Sequence, residues 1–204
     1  MSGAAYDGRA AGYDALIGSR WYNVLAWGTD PADYTAFARE AVGSAEGPLL
    51  EIAAGTAVAT AALYRESRRP ITVTDQSGDM LDLARKRIGS VGVRFAQADA
   101  FAPPFAPSSF DTVLSLGFLH MVDDVDGYVF ALRGLLRPGG ALYLTSLVAE
   151  SRRGAAYLRL LHRAGEVAAP RTADQLADLL GTRVWAKGCM AYAVLSDGRT
   201  RLTP

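Results

Sequence analysis

Residues 49–57 read Leu49-Leu50-Glu51-Ile52-Ala53-Ala54-Gly55-Thr56-Ala57, an apolar run that reaches an acid and then turns through small residues. A helix-like stretch follows, and a second apolar run, Ile71–Thr74, ends in Asp75. This order is typical of a β-turn-α-β nucleoside site, because small residues let the backbone approach the ligand and the second acid can accept hydrogen bonds from ribose hydroxyls. The stretch therefore predicts a nucleoside-containing small molecule at the carboxyl ends of the strands.

Short apolar runs alternate with longer amphipathic stretches along the rest of the chain. The apolar runs predict strands at Leu49–Ala53, Ile71–Asp75, Val93–Ala96, Thr112–Ser115, Ala141–Ser146, Arg183–Lys187 and Met190–Leu195. Between them, the pattern predicts helices at Thr56–Arg65, Gly78–Arg87, Val125–Leu136 and within Arg153–Leu180. This alternation is typical of a parallel sheet with helices on both faces. The last two candidate strands are joined by little more than Gly188, which predicts an antiparallel hairpin at the sheet edge.

Length, composition and charge restrict the function. The chain has 204 residues, a usual length for one domain, and half of them are apolar, so a substantial core can form. It carries 21 basic and 21 acidic residues. We expect no nucleic-acid partner, since such proteins usually show a basic surplus or stripe. We interpret short basic clusters such as Arg68-Arg69 as solvated helix faces.

Cysteine usage and the lengths of the apolar runs indicate the cellular compartment in which we expect the protein. Cys189 is the only cysteine, so the chain can form no internal disulfide and no zinc cluster of thiolates, which fits a reducing environment. No group of histidines and acids has metal-ligand spacing, and we expect no metal. The sequence shows no apolar run of the roughly 20 residues that span a membrane, and no signal-peptide pattern. We therefore expect a cytoplasmic protein without a membrane span.

Acids lie at the ends of three successive strand-like runs: Glu51, Asp75 and Asp99. An acid at the third position can accept a hydrogen bond from the exocyclic amine of a purine, and Phe101 can pack near the base. A dinucleotide site would require further glycines to bring a pyrophosphate to the helix N-terminus, whereas Ala57 stands where a later glycine would be. The pattern therefore favours a nucleoside ligand without phosphates, such as S-adenosylmethionine.

At this point the residues resemble a known family, the class I S-adenosylmethionine-dependent methyltransferases. The chain is most similar to the small-molecule branch that includes ubiquinone and menaquinone methyltransferases. The resemblance is close over about residues 48–148 and rests on motifs that occur in the family's order: Leu50–Thr56, Asp75–Ala84, Gln97–Ala100, Phe110–Ser115 and Leu135–Leu142. It implies an α/β, Rossmann-like, seven-stranded and mostly parallel sheet with helices on both faces and an antiparallel C-terminal hairpin.

The resemblance also implies the cofactor, S-adenosylmethionine, and its contacts. Asp75 would hold the ribose hydroxyls, and Asp99 with Ala100 would bind the amine edge of adenine. The resemblance further implies contacts from Glu51, Ala53 and Gly55 in the first turn, and from Gln76 and Met80 along the adenine. It implies contacts from Ser115 and Leu116 after the fourth strand, and from Tyr13 and Tyr22 in an N-terminal lid. The family usually has glycine at the position of Ala57, where a methyl group would crowd the methionyl part of the cofactor or shift the turn.

The remaining expectations concern catalysis and organisation. His120 follows the fourth strand, and we expect it to act as a catalytic base with a near-neutral pKa. We divide the chain into an N-terminal helical lid segment, 1–46, and a cofactor-binding domain, 47–204, in a monomer or homodimer. The acceptor is expected to be a small, rather apolar molecule. Three alternatives stay open: a cofactor-binding relative that catalyses another reaction such as a cyclisation, a non-catalytic binding partner and, least favoured, a nicotinamide oxidoreductase.

Overall fold

The computed structural model describes residues 27–89 and 92–196. Its strands are β1 Leu49–Glu51, β2 Ile71–Asp75, β3 Val93–Gln97, β4 Phe110–Ser115, β5 Leu136–Leu147, β6 Val184–Lys187 and β7 Met190–Ser196. Its α-helices are α1 Pro31–Gly43, α2 Ala61–Glu66, α3 Gly78–Ile88, α4 Val125–Gly134, α5 Arg152–Arg163 and α6 Ala173–Leu180, and a 3₁₀ turn covers Leu119–Met121.

The strands form one seven-stranded sheet in the order β3-β2-β1-β4-β5-β7-β6. Pairings from β3 to β5 are parallel, whereas β7 lies antiparallel to both β5 and β6. The β6–β7 turn contains Gly188 at φ +58°, a left-handed backbone that glycine adopts readily. The Rossmann-like sheet and the antiparallel C-terminal hairpin are thus confirmed. The strand order reverses between β1 and β4, which is where open α/β sheets bind ligands.

Apolar side chains bury both faces of the sheet. On one face, α4 and α6 cover residues such as Val113 and Leu142, which are fully buried. On the other face, α1, α2 and α3 pack on the sheet, and the ring of Phe37 lies 5.1 Å from Tyr192 and 5.4 Å from Tyr143. Helix α1, which belongs to the predicted N-terminal lid segment, is therefore packed against the core. The division at residue 46 stays a prediction.

Several element boundaries differ from the sequence prediction. The helix expected from Thr56 begins only at Ala61, because the residues between them form turns instead of a helix. β5 begins at Leu136 and includes the Pro-Gly-Gly segment that was expected to be a turn. The pairing of β5 with β4 shifts register there, because Phe110 pairs with Leu136 and Thr112 pairs with Ala141. The long C-terminal helical region is two helices, α5 and α6.

Arg69 corrects the interpretation of the basic clusters as solvated. Its side chain is only 9% exposed, and its Nη1 donates to the α1 carbonyls of Ala41 (3.2 Å) and Val42 (2.8 Å). Its Nε donates to the Gly47 carbonyl at 2.8 Å, and its Nη2 to the hydroxyl of Thr112 at 2.9 Å. The guanidinium supplies donors at the helix end, where the last carbonyls lack a partner within the helix. Arg69 therefore anchors α1 to the amino end of the sheet.

Candidate cofactor site

The turn after β1 is built from left-handed backbone at three positions. Ala53, Gly55 and Ala57 have φ of +53°, +55° and +52°. Glycine adopts such angles freely, whereas in an alanine they cause steric strain of about 1 kcal/mol. Ala57 is 3% exposed and belongs to the apolar cluster beneath the turn, so its methyl group is accommodated by the core. A Cβ built on Gly55 would meet no atom within 4 Å, so space is open above the turn.

Asp75 links this turn to the end of β2. Its Oδ2 accepts the Gly55 N–H at 2.8 Å, and its Oδ1 accepts the Ser77 N–H at 2.9 Å. Burial raises the pKa of the Asp75 carboxyl, and hydrogen bonds from Ser77, Gly55 and Gln76 oppose the rise. A carboxylate has about four lone-pair positions, so each oxygen keeps capacity for another donor. The carboxylate can therefore accept further hydrogen bonds, and its contact with ribose hydroxyls stays a prediction.

Glu51 lies deeper than Asp75 and points into the protein. Its Oε2 accepts hydrogen bonds from the hydroxyls of Thr60 (2.9 Å) and Tyr64 (2.8 Å), both on the α2 side. Only 2% of the residue is exposed. Burial raises the pKa of Glu51 from 4.5 to about 7, although the two hydroxyls lower it in part. Glu51 thus fixes the start of α2 beneath the turn, and its cofactor contact remains a prediction.

The segment after β3 places an acid and an aromatic ring together. The Asp99 side chain is exposed and its Oδ1 accepts the Phe101 N–H at 2.9 Å, while Ala100 is buried. Phe101 is 51% exposed and its ring lies 6.0 Å from Phe118 and 5.5 Å from Tyr128. Phe101 was expected near the base from the sequence, whereas the other two rings were not, because they lie on different elements and share no local motif with Phe101.

The other predicted cofactor contacts lie at the same edge of the sheet. Gln76 is exposed, and Met80 is buried in the first turn of α3, where its N–H donates to Ser77. Ser115 ends β4 with its hydroxyl 2.8 Å from that of Tyr128. Leu116 is 8% exposed and leads into Gly117. The fold thus brings the ends of β1, β2, β3 and β4 together.

His120 lies farther along, where β4 and β5 end. Its Nδ1 accepts the Leu147 N–H at 3.5 Å, a long contact, and its carbonyl accepts the Ala168 N–H at 3.0 Å. Burial lowers the pKa of His120 from 6.5 to about 4, so the expectation of a near-neutral pKa is wrong. A small cavity beside the ring, also lined by Ser146 and Arg171, has room for about one water molecule. The ring is neutral at pH 7.

The N-terminal side of the site is described only in part. Tyr13 and Tyr22, the predicted lid residues, lie outside the described residues. Trp27 packs on Tyr157 of α5, with ring centroids 5.1 Å apart, and its carbonyl accepts the Cys189 N–H. Tyr34, which no sequence motif marks, also lies here: its hydroxyl would be 3.0 Å from a Cβ at Gly117. Helix α1 therefore places a phenol beside the loop that follows β4.

Two further observations concern the described part of the chain. Across residues 27–89 and 92–196, no three histidine, cysteine or acidic side chains are placed to hold a metal ion. No helix in those same ranges has the length and apolarity needed to cross a membrane.

Comparisons with known proteins show which family and which fold the chain is similar to. Residues 50–144 match the family model described as a methyltransferase domain. The chain is 34% identical over 143 residues to the demethylmenaquinone methyltransferase of Clavibacter sepedonicus, which covers 69% of this chain and 56% of that protein. The chain spans about half the length of the curated relatives it matches.

Solved structures share the fold. DhpI in complex with SAH superposes with a TM-score of 0.70 at 23% identity, covering 95% of this chain and 93% of the other. The [4+2]-cyclase SpnF superposes with a TM-score of 0.66 at 21% identity, covering 88% and 69%. At these identities the likeness concerns the fold alone. With the matched motifs, the sheet order and the acid at the end of β2, residues 50–144 form a class I S-adenosylmethionine-dependent methyltransferase domain.

Proposed function

We propose that this chain transfers a methyl group from S-adenosylmethionine to a small-molecule acceptor. The observation that carries the proposal is the Asp75 carboxylate, which two backbone N–H groups orient at the point where the strand order reverses. When bound, the cofactor supplies a methyl group activated by the positive sulfonium. The protein's contribution is then to bind, to align the acceptor and to exclude water.

The turn and the strand ends fit this ligand. The remaining lone pairs of Asp75 would accept the two ribose hydroxyls, and the open space above Gly55 would receive the methionyl part. No pyrophosphate is required, which suits a turn with alanine at positions 53 and 57. We assign the adenine to Gln76 and Met80.

The remaining contacts are assigned in the same way. Asp99 and Ala100 would bind the amine edge of adenine, and the carbonyls at Ser115 and Leu116 would accept the methionyl ammonium. The backbone at Ala53 and the buried carboxyl of Glu51 would support the turn. Tyr13 and Tyr22 are proposed as lid residues.

We assign His120 to the acceptor end of the site. The Leu147 N–H occupies Nδ1, which favours the neutral tautomer with its proton on Nε2. Such a ring can hold an acceptor oxygen by donating from Nε2. It is a weak base, because its pKa is lowered to about 4. The proposed role is therefore to position the acceptor, with proton removal favoured only for an acceptor that is already acidic.

The acceptor class rests on the relatives and on the apolar character of the site. The Clavibacter sepedonicus relative is named for demethylmenaquinone, an apolar small molecule. In this chain, the half-exposed ring of Phe101, which lies near Phe118 and Tyr128, offers aromatic surface to such a ligand. We place the activity in the cytoplasm, in keeping with a single, buried cysteine, Cys189.

Calorimetric titration with S-adenosylmethionine tests the cofactor site. Asp75→Asn should weaken binding about 100-fold, since a charge-assisted hydrogen bond contributes about 1.5–3 kcal/mol. Asp82→Asn is the matched control, because Asp82 lies on the exposed face of α3, where it pairs with Arg85. Equal affinity in both variants, with folding verified by circular dichroism, would reject Asp75 as the ribose ligand.

A second assay separates methyl transfer from another reaction. The cyclase with this fold is a reason to measure the product rather than binding alone. Demethylated cofactor that accumulates only when an apolar phenol or quinol acceptor is present would support the proposal. Turnover of an acceptor without demethylated cofactor would favour a non-methyl-transfer reaction, and binding without any turnover would favour a non-catalytic partner.

A further inference from the structure

The outward face of α4 carries a large apolar side chain that the domain leaves uncovered. Phe130 is 82% exposed, the highest value among the large apolar side chains of the described ranges. The opposite face of the same helix is buried in the core through Val125, Tyr128 and Leu132. The fold therefore explains why the inward face of α4 is apolar, but not why a phenyl ring is exposed to water on the outward face. Burial of this ring would remove up to about 150–250 Å² of surface.

A groove lies beside Phe130, between α4 and α6. Its volume is about 500 Å³, and Val129, Leu179 and Leu180 line it. Leu179 is 42% exposed, so apolar surface continues from one helix to the other. Gly134 also lines the groove, and a Cβ there would meet no atom within 4 Å, so the end of α4 leaves room for an incoming side chain. The groove can hold an aromatic ring.

The charges on this face are arranged symmetrically about Phe130. Asp126 precedes it by four residues, Arg133 follows it by three, and both are exposed. At about 1.5 Å of rise per residue, they lie roughly 6 Å and 4.5 Å along the helix from the phenylalanine. A second copy of α4 laid antiparallel, with a twofold axis near Phe130, would place each Asp126 opposite Arg133 of the other copy. The face is thus complementary to itself in charge.

We propose that this face forms a twofold homodimer, in which the α4 helices pack antiparallel and Phe130 of each copy enters the α4–α6 groove of the other. A twofold interface uses the same patch on both subunits, so it requires a surface that complements itself. The positions of Asp126 and Arg133 also suit the helix dipole, with the acid in the first turn and the base in the last. The helix dipole explains the two charges but not the exposed phenyl ring of Phe130. The proposed dimer explains the ring as well, because it buries it.

Charge reversal followed by sedimentation equilibrium tests the dimer. Asp126→Arg and Arg133→Asp should each weaken association at least about tenfold, because like charges then face each other at two symmetric places. The double variant should regain the wild-type dimer constant. Phe130→Ser should give a monomer, with Leu160→Ser, which changes an exposed apolar side chain on α5 to the same residue, as the control. Thermal unfolding of each variant verifies folding, and the assay is independent of the proposed methyl transfer.

Three results would overturn the proposal. One is a wild-type protein that is monomeric at every concentration. Another is a dimer that none of the three substitutions on this face weakens, which would place the interface elsewhere. The third is a monomer that binds phospholipid vesicles through Phe130, which would assign the face to a membrane surface. Loss of the dimer in both single reversals and its recovery in the double variant would support the paired arrangement.

Discussion

Glu51 makes the stability of this protein depend on pH in an unusual direction. Its pKa rises from 4.5 to about 7 in the folded protein, because burial disfavours the charged form. Between these two values the folded state binds more protons than the unfolded state, so the free energy of unfolding falls as pH rises. The contribution of Glu51 is fully present below pH 4.5 and is lost as pH passes about 7.

The magnitude follows from the size of the pKa change. One pKa unit corresponds to about 1.4 kcal/mol, so the rise in the pKa of Glu51 corresponds to about 3 kcal/mol across the whole window. Glu51→Gln removes the ionisation, while its amide oxygen can still accept from Thr60 and Tyr64. Relative to this variant, the wild-type protein should therefore lose about 3 kcal/mol of stability as pH rises from about 4.5 to about 7.5.

Urea unfolding of both proteins, followed by circular dichroism across this pH range, measures the difference. The wild-type curve alone is not sufficient, because His120 acts in the opposite direction. Its lowered pKa, about 4, means that the unfolded chain binds the proton more tightly, so stability is lost as pH falls from 6.5. Subtracting the Glu51→Gln curve leaves that histidine's effect in both proteins and cancels it.

Parallel stability curves for the two proteins would refute the reasoning, since they would mean that Glu51 ionises in the folded state as readily as in the unfolded chain. A difference of the opposite sign would mean that the Thr60 and Tyr64 hydroxyls outweigh the burial and lower the pKa.

Other substitutions test the turn, the α1 anchor and the acceptor end. Ala53→Gly should raise the free energy of unfolding by about 1 kcal/mol by relieving a left-handed alanine, whereas Ala54→Gly next to it should lower it by about 0.5–1; equal effects would contradict the strained turn. Arg69→Ala should cost about 3 kcal/mol or more in urea unfolding because it removes the hydrogen bonds of a charged donor to the Gly47 and Val42 carbonyls and to Thr112, and exposed Arg68→Ala should cost less than about 0.5. The pH–rate profile for methyl transfer should show no His120 ionisation near 6.5; an inflection there that disappears in His120→Gln would contradict the lowered pKa.

Much of the fold could be predicted because local patterns determine it. Apolar runs without alternation identify strands that are buried on both faces, and the lengths between them leave room only for helical crossovers. The short link at Gly188 leaves only an antiparallel hairpin. Boundaries were less predictable where backbone geometry rather than apolar periodicity decides them, as at Ala61, where α2 starts after the left-handed turn.

The sequence by itself determined the seven strands of the sheet and the acids at the strand ends, because both follow from residue type and spacing along the chain. Only the tertiary structure decided how those groups are used. Glu51 points inward to two hydroxyls, Asp75 is held by backbone N–H groups, and His120 loses its near-neutral pKa. Arg69, which the sequence pattern assigned to solvent, is buried, and its guanidinium donates to carbonyls at the end of α1. Burial and the donors that surround a charge come from elements distant in the chain, and no local pattern carries that information.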